Sequence, residues 1–253
     1  MADQTKTTSA TTPDVLQRAK GFWEKNSRII IIVGSVVILL AGGYYGYKYF
    51  YKLPREEKAN EQLFAAEKLL AKMTTMGSYN KDSVNIVLNG GNLDGVPITG
   101  LLKIISNYGG TKSGDRAQYL VGACYLHIQD YDKAIKYLKD FDGNGAQQIQ
   151  SKAYMLLGDA YAEKKNTDEA LSYYKKAASV LDDKEAWQKA FALFMAANYA
   201  DYAGKTKEAI DILQDIKQNH MVGILPQEKQ DDPRPAVTVD DVDKLLAKLG
   251  VTK

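Results

Sequence analysis

From Ile29 to Tyr47 the chain runs nineteen residues without a charged side chain, and Ile29 to Leu40 is almost wholly isoleucine, valine and leucine. Such a run is poorly suited to water. In lipid its backbone N–H and C=O groups have only one another to bond, which makes it a helix. Nineteen helical residues span roughly 29 Å, about the thickness of a bilayer's hydrocarbon core. A cleavable signal peptide is the rival reading, with a shorter apolar stretch near the start and a small-residue cleavage site. Here polar residues 1–28 come first, and the far end carries Tyr44, Tyr45, Tyr47, Tyr49, Phe50 and Tyr51. Aromatic runs of this kind belong at a lipid–water interface. The expectation is a retained single-pass anchor.

Charge does not orient it firmly. Lys6, Arg18, Lys20, Lys25 and Arg28 precede the span, while Lys48, Lys52, Arg55 and Lys58 follow it, a near tie under the positive-inside rule. The expected arrangement is a short N-terminus inside and a large C-terminal domain outside. Residues 1–58 hold nine basic and five acidic residues, against twenty-four and twenty-six in residues 59–253. The basic excess therefore belongs to the membrane-proximal quarter, and the overall +2 argues against a nucleic-acid partner. Val15, Leu16, Ala19, Phe22 and Trp23 share one helical face, and Thr12-Pro13 suits a helix start, so a basic amphipathic helix lying on the headgroups is expected before the span. Residues 1–11 read as a flexible tail. Gly42 and Gly46 form a GxxxG pair able to pack a second membrane helix.

Beyond Pro54 the pattern is helical and repeats itself. Gly122, Tyr125, Ala134 and Leu138 stand at the same relative positions (8, 11, 20 and 24) as Gly158, Tyr161, Ala170 and Tyr174. A weaker third copy places Ala197, Ala200, Ala209 and Leu213 there. The alanine at position 20 thus recurs after 36 and then 39 residues. Thr167 and Thr206 stand three residues before it, placed to N-cap the second helix of each pair.

This pattern resembles the tetratricopeptide-repeat (TPR) family, whose repeats are antiparallel helix pairs of about 34 residues. Small residues at positions 8 and 20 let two helices approach, and large ones at 4, 7, 11 and 24 fill the space between successive pairs. The expected pairs are 115–128 with 131–141, 147–163 with 167–181, and 185–203 with 205–218. Residues 55–76, with Leu63, Ala66, Leu70 and Met73 along one stripe, could pair with 98–108 around an insert at 77–97 rich in turn signals. Residues 219–237 hold three prolines and read as a loop before a last helix at 239–249. The fold class is therefore all-α: a single N-terminal transmembrane helix followed by a TPR-type solenoid of helical hairpins. The chain divides into a cytoplasmic tail with an amphipathic helix (1–28), a transmembrane helix (29–51), a linker helix with an atypical first pair (52–111), the repeats (112–218), and a C-terminal loop with a capping helix (219–253).

Catalytic chemistry finds little support. Gly109-Gly110-Thr111-Lys112-Ser113-Gly114 superficially matches a phosphate-binding loop, but Thr111 replaces the glycine before the lysine and a helix precedes it, so a linker is expected. His127 and His220 are isolated, and Cys124 is the only cysteine, beside the tight helix seam. No catalytic residue, metal or cofactor is expected. Trp187 reads as core, and Asp231-Asp232 and Asp240-Asp241 as solvated. What remains is a surface.

In the TPR family the first helix of each pair lines a groove through positions 2, 5, 9 and 12. Carried onto this chain, the resemblance implies a partner-binding groove of Arg116, Tyr119, Lys152, Met155, Asp159, Phe191, Phe194 and Asn198, beside Ala123, Leu126, Ala162 and Asp201. Tyr119, Met155 and Phe194 would form an apolar strip suited to a peptide, unless a terminal helix fills it. The lysine/asparagine carboxylate clamp of chaperone-tail adaptors is missing. A basic tail, one span, a helix leaving the membrane and a small TPR domain together resemble the YfgM-like family. That resemblance implies a non-enzymatic protein of the bacterial inner membrane, N-terminus cytoplasmic and repeats periplasmic. It implies an ancillary subunit of the Sec translocon that partners a membrane-anchored peptidyl-prolyl isomerase-like chaperone or emerging secretory chains, with no small-molecule substrate. A tethered scaffold for envelope assembly or cell division is the alternative.

Overall fold

A computed structural model describes residues 12–77, 79–93, 95–220 and 237–251. It resolves into two units, residues 1–54 and 55–253.

In the first unit, α1 is one uninterrupted helix, Thr12–Tyr47, followed by a wide π turn at Lys48–Lys52. Residues 29–51 expose nearly all their apolar side chains, so this is no core helix. It is long and apolar enough to cross a membrane. The amphipathic segment expected to lie flat is not a separate helix. No turn breaks the backbone between Arg28 and Ile29, so residues 16–28 continue the helix of the apolar run. The π turn coincides with Pro54, which has no N–H to donate and crowds the carbonyl four residues back. Leu53 N–H already bonds five residues back, to Lys48 C=O.

The second unit is built of helices α2 (Leu53–Thr75), α3 (Lys81–Asn89) and α4 (Leu101–Tyr108), then the pairs α5 (Lys112–His127) with α6 (Tyr131–Lys139), α7 (Gln147–Glu163) with α8 (Thr167–Ser179), and α9 (Ala186–Tyr202) with α10 (Thr206–Asn219), closed by α11 (Val239–Lys248). Between α3 and α4 lies the one small sheet among the described residues, an antiparallel hairpin of β1 (Gly90–Leu93) and β2 (Val96–Thr99). The insert at 77–97 therefore holds a helix as well as turns. Asn80 caps α3 by accepting from Asp82 N–H at 2.8 Å, and Val84, Val87 and Leu88 are buried on one face. Four apolar residues in nine, Val84, Ile86, Val87 and Leu88, are too few to signal a helix by period. Nor do 55–76 and 98–108 form a close hairpin: α4 packs on α3 and α5. α2 joins the same core through Leu63, Ala66, Leu69 and Met73, with Leu69 rather than Leu70 completing the stripe.

The three pairs share one turn. In each, the N–H at position 16 (Asp130, Asn166, Lys205) bonds the C=O at position 11 (Tyr125, Tyr161, Ala200) at 2.8–2.9 Å. The residue between them in the turn, Gln129, Lys165 or Gly204, has φ of 65°, 58° or 74°. This six-to-one closure ends a helix in the left-handed conformation, and it marks the third pair as a true copy despite its weak sequence. Thr167 and Thr206 are not caps but first helical residues. The cap positions are Asp130, Asn166 and Lys205, of which Asp130 and Asn166 accept from Lys133 N–H and Glu169 N–H at 3.3 and 3.5 Å. At the seams, Ala134, Ala170 and Ala209 are fully buried. A side chain on Gly122 would run into Leu138, and one on Gly158 would lie 2.5 Å from the Tyr174 ring.

α2 is fastened to α4 and to the start of α5 by polar contacts along its first half. Arg55 donates to Asn107 C=O at 2.8 Å, and Gln62 Nε2 to Tyr108 Oη at 3.0 Å. The apparent phosphate loop is filled from within. Thr111 caps α5, and Glu56 accepts from Lys112 N–H, Ser113 N–H (each 2.8 Å) and Ser113 Oγ–H (2.6 Å) at the positive end of that helix. Partial burial pushes the Glu56 carboxyl up, but these hydrogen bonds outweigh it and hold the group below its ordinary value. Stability from a depressed carboxyl is present above its unfolded value and lost as pH falls through the folded one. Glu56→Gln is therefore expected to lower stability at pH 7 by about 1 kcal/mol, the usual worth of a helix cap, and the melting point with it. In acid the difference from the parent should vanish, as thermal melts across pH 3–7 would show.

Candidate peptide-binding groove

The first helices of the three pairs, α5, α7 and α9, enclose an open groove of about 380 Å³. Five of the residues expected there meet in it: Tyr119 from α5, Lys152, Met155 and Asp159 from α7, and Phe191 from α9. Three do not. Arg116 turns to the α2 side and pairs with Glu67. Phe194 is half-buried against the cluster formed by α8 to α11. Asn198 spends its Nδ2 on Phe194 C=O at 2.9 Å within α9.

The physical reason is the extra three residues before the third pair, carried by a 3-10 turn at Asp183–Glu185. Tyr119, Met155 and Phe191 keep a constant spacing of 36, whereas position 5 of the third repeat, Phe194, lies about one turn further along α9. The apolar strip is therefore Tyr119, Met155 and Phe191. Trp187 and Met195 extend it one turn each way along α9, and Leu156 adds to it from α7. Trp187, expected in the core, is half-buried at the groove instead. A usable signal was present. α9 carries two apolar faces, small Ala190, Ala196, Ala197 and Ala200 buried in the seam and large Trp187, Phe191 and Met195 at i, i+4 and i+8.

No residue of α11 lines the groove. That helix lies on α10, where Val242, Leu245 and Leu246 meet Ile212, Leu213 and Ile216, with Lys217 bonding Asp243 at 2.7 Å and Lys248 bonding Asp201. Asp241 is not simply solvated, because it accepts from Thr238 N–H and Oγ1–H at 2.9 and 2.6 Å in a capping box that starts α11. Asp231 and Asp232 lie outside the described residues.

Asp159 is the groove's most constrained charge. Its carboxylate accepts from Tyr174 Oη–H at 2.7 Å, yet burial dominates and, with Glu163 nearby, raises its pKa above the usual carboxylate range. The folded chain then binds this proton more tightly than the unfolded one, so this site adds stability as pH falls and costs stability at neutrality. Asp159→Asn keeps an acceptor for Tyr174 without the charge. It is expected to melt higher than the parent at pH 7, with the gap closing toward pH 4, measured by parallel melts. Cys124, on the buried face of α5, has its thiol pushed up to about 12 by burial, which suits packing rather than nucleophilic work. His127 stacks on Tyr79 with ring centroids 3.6 Å apart. Among the described residues no group of three or more His, Cys, Asp or Glu is placed to hold a metal.

In the first unit, Gly42 and Gly46 face open space, with nothing within 4 Å of where a Cβ would stand.

No curated protein matches the chain. The tetratricopeptide repeat profile matches residues 116–142, 151–180 and 191–220, which coincide with the three helix pairs that build the groove. These residues thus carry tetratricopeptide repeats, a module that generally serves as a scaffold for protein–protein interaction.

Proposed function

We propose that this is a non-enzymatic, membrane-anchored TPR protein acting as an ancillary subunit of the Sec translocon in the bacterial inner membrane. In this reading the N-terminus is cytoplasmic and the repeats are periplasmic. The groove holds a membrane-anchored peptidyl-prolyl isomerase-like chaperone or an emerging secretory chain, and Gly42 and Gly46 pack a partner's membrane helix. The observation that carries it is the open groove of Tyr119, Met155, Trp187 and Phe191, on a chain whose other unit has a helix long and apolar enough to cross a membrane. An apolar groove left open by its own terminal helix suits a polypeptide partner.

Purification in mild detergent followed by mass spectrometry tests it. Translocon subunits and a periplasmic isomerase should come down together. Recovery of envelope-building or division proteins in their place would favour a tethered scaffold of that kind. Protease added to spheroplasts should degrade residues 55–253. Full protection, with cleavage only in inverted vesicles, would put the repeats in the cytoplasm and end the translocon-exit reading.

A further inference from the structure

Along the α9 side of the groove the chain buries acceptors without donors. Gln188 Oε1 and Glu185 Oε2 are shut off from solvent, and neither accepts a hydrogen bond from a described residue. Gln188 lines the groove, and Glu185 adjoins it, since the groove residue Gln148 donates to its other oxygen at 3.4 Å. Neighbouring donors are committed elsewhere. Ser151 Oγ–H bonds Ala177 C=O at 2.7 Å, and the Tyr174 hydroxyl bonds Asp159 at 2.7 Å. Lys152 stands exposed, so its ammonium does not serve the buried oxygens.

A desolvated acceptor with no donor is costly, and a desolvated carboxylate oxygen more so. A ligand that brings acceptors or negative charge would worsen this. One that brings N–H groups or a cation would relieve it. The surrounding side chains fit a cation on an apolar stem: Trp187 and Phe191 bring aromatic side chains to the lining, and Met155 and Met195 adaptable apolar walls.

We propose, resting on the groove as the binding surface, that it selects polypeptide segments in which a lysine or arginine adjoins large apolar residues. The apolar side chains occupy the strip of Tyr119, Met155 and Phe191, and the cation reaches Glu185 and Gln188.

The test uses the full chain in nanodiscs of zwitterionic lipid, with empty discs as baseline, and three fluorescein-labelled peptides of equal length. All carry the same leucines, with lysine, glutamine or glutamate at the intervening positions. Anisotropy titrations should show the lysine peptide binding at least threefold tighter than the glutamine one and at least tenfold tighter than the glutamate one. Glu185→Gln and Gln188→Met, each melting no lower than the parent, should bring the lysine-to-glutamine ratio toward one. Equal binding of all three peptides, abolished by Met155→Ala/Phe191→Ala, would keep the groove and overturn the selectivity. Binding of none, or binding indifferent to Met155→Ala/Phe191→Ala, would overturn both.

Discussion

A Met155→Ala/Phe191→Ala chain is expected to lose its polypeptide partner by about 25-fold, because each truncated anchor typically removes 1 kcal/mol or more, roughly fivefold in affinity. Both side chains are half-buried and line the groove where it is apolar. Their outer surfaces are free to be covered by a ligand, while their inner surfaces touch the cluster around Ala170, Tyr174 and Ala190. Truncation therefore also costs the fold something, and a drop of a few degrees in melting temperature is compatible with the reading. Phe194→Ala is the control that separates the two effects. Phe194 packs on the same cluster without lining the groove, so its truncation should lower stability and leave affinity within about twofold. Equal loss of partner from Phe194→Ala, measured by co-purification and by peptide titration, would show that binding simply follows folding. The groove would then cease to be the site.

Replacing Ala170 by leucine is expected to destabilise the repeats by about 1–3 kcal/mol, the usual cost of forcing extra methylenes into a filled interior. Ala170 is fully buried on α8, within the cluster that includes Tyr174, Ala196 and Ala197. One residue group away, Gly158 leaves room for the Tyr174 ring, so the α7–α8 seam has no slack on either helix. For a chain of this size the loss corresponds to roughly 2–12 °C in melting temperature. Tyr202→Ala, at a side chain 85% exposed on α9, should change little. A parent-like melt for Ala170→Leu in detergent would contradict the seam.

The sequence by itself was enough for the helices of the repeats and for the order of the chain. An uncharged run of nineteen residues has no low-cost state except a helix out of water, and α1 carries it exposed. Small residues recurring at positions 8 and 20 announce close helix contacts, and Gly122, Gly158, Ala134, Ala170 and Ala209 make them. These are local properties: each follows from one residue's size or from a period within a single helix.

The missed features depend on residues far apart in the chain. Glu56 occupies the helix end of Lys112 and Ser113, some 56 residues on, and no local pattern around either partner predicts that pairing. α3 draws its stability from the core it covers rather than from its own nine residues. The groove shows the division most plainly. Its position-5 strip was legible at Tyr119 and Met155, where the two repeats keep one register. It failed at Phe194, because three added residues moved α9 relative to α7 and brought Phe191 and Trp187 to the surface in its stead. A repeat pattern fixes which residues face the neighbouring helix, since small side chains are needed there. Which large residues are left facing outward together depends on the axial offset between helices, and only the packed structure sets that offset.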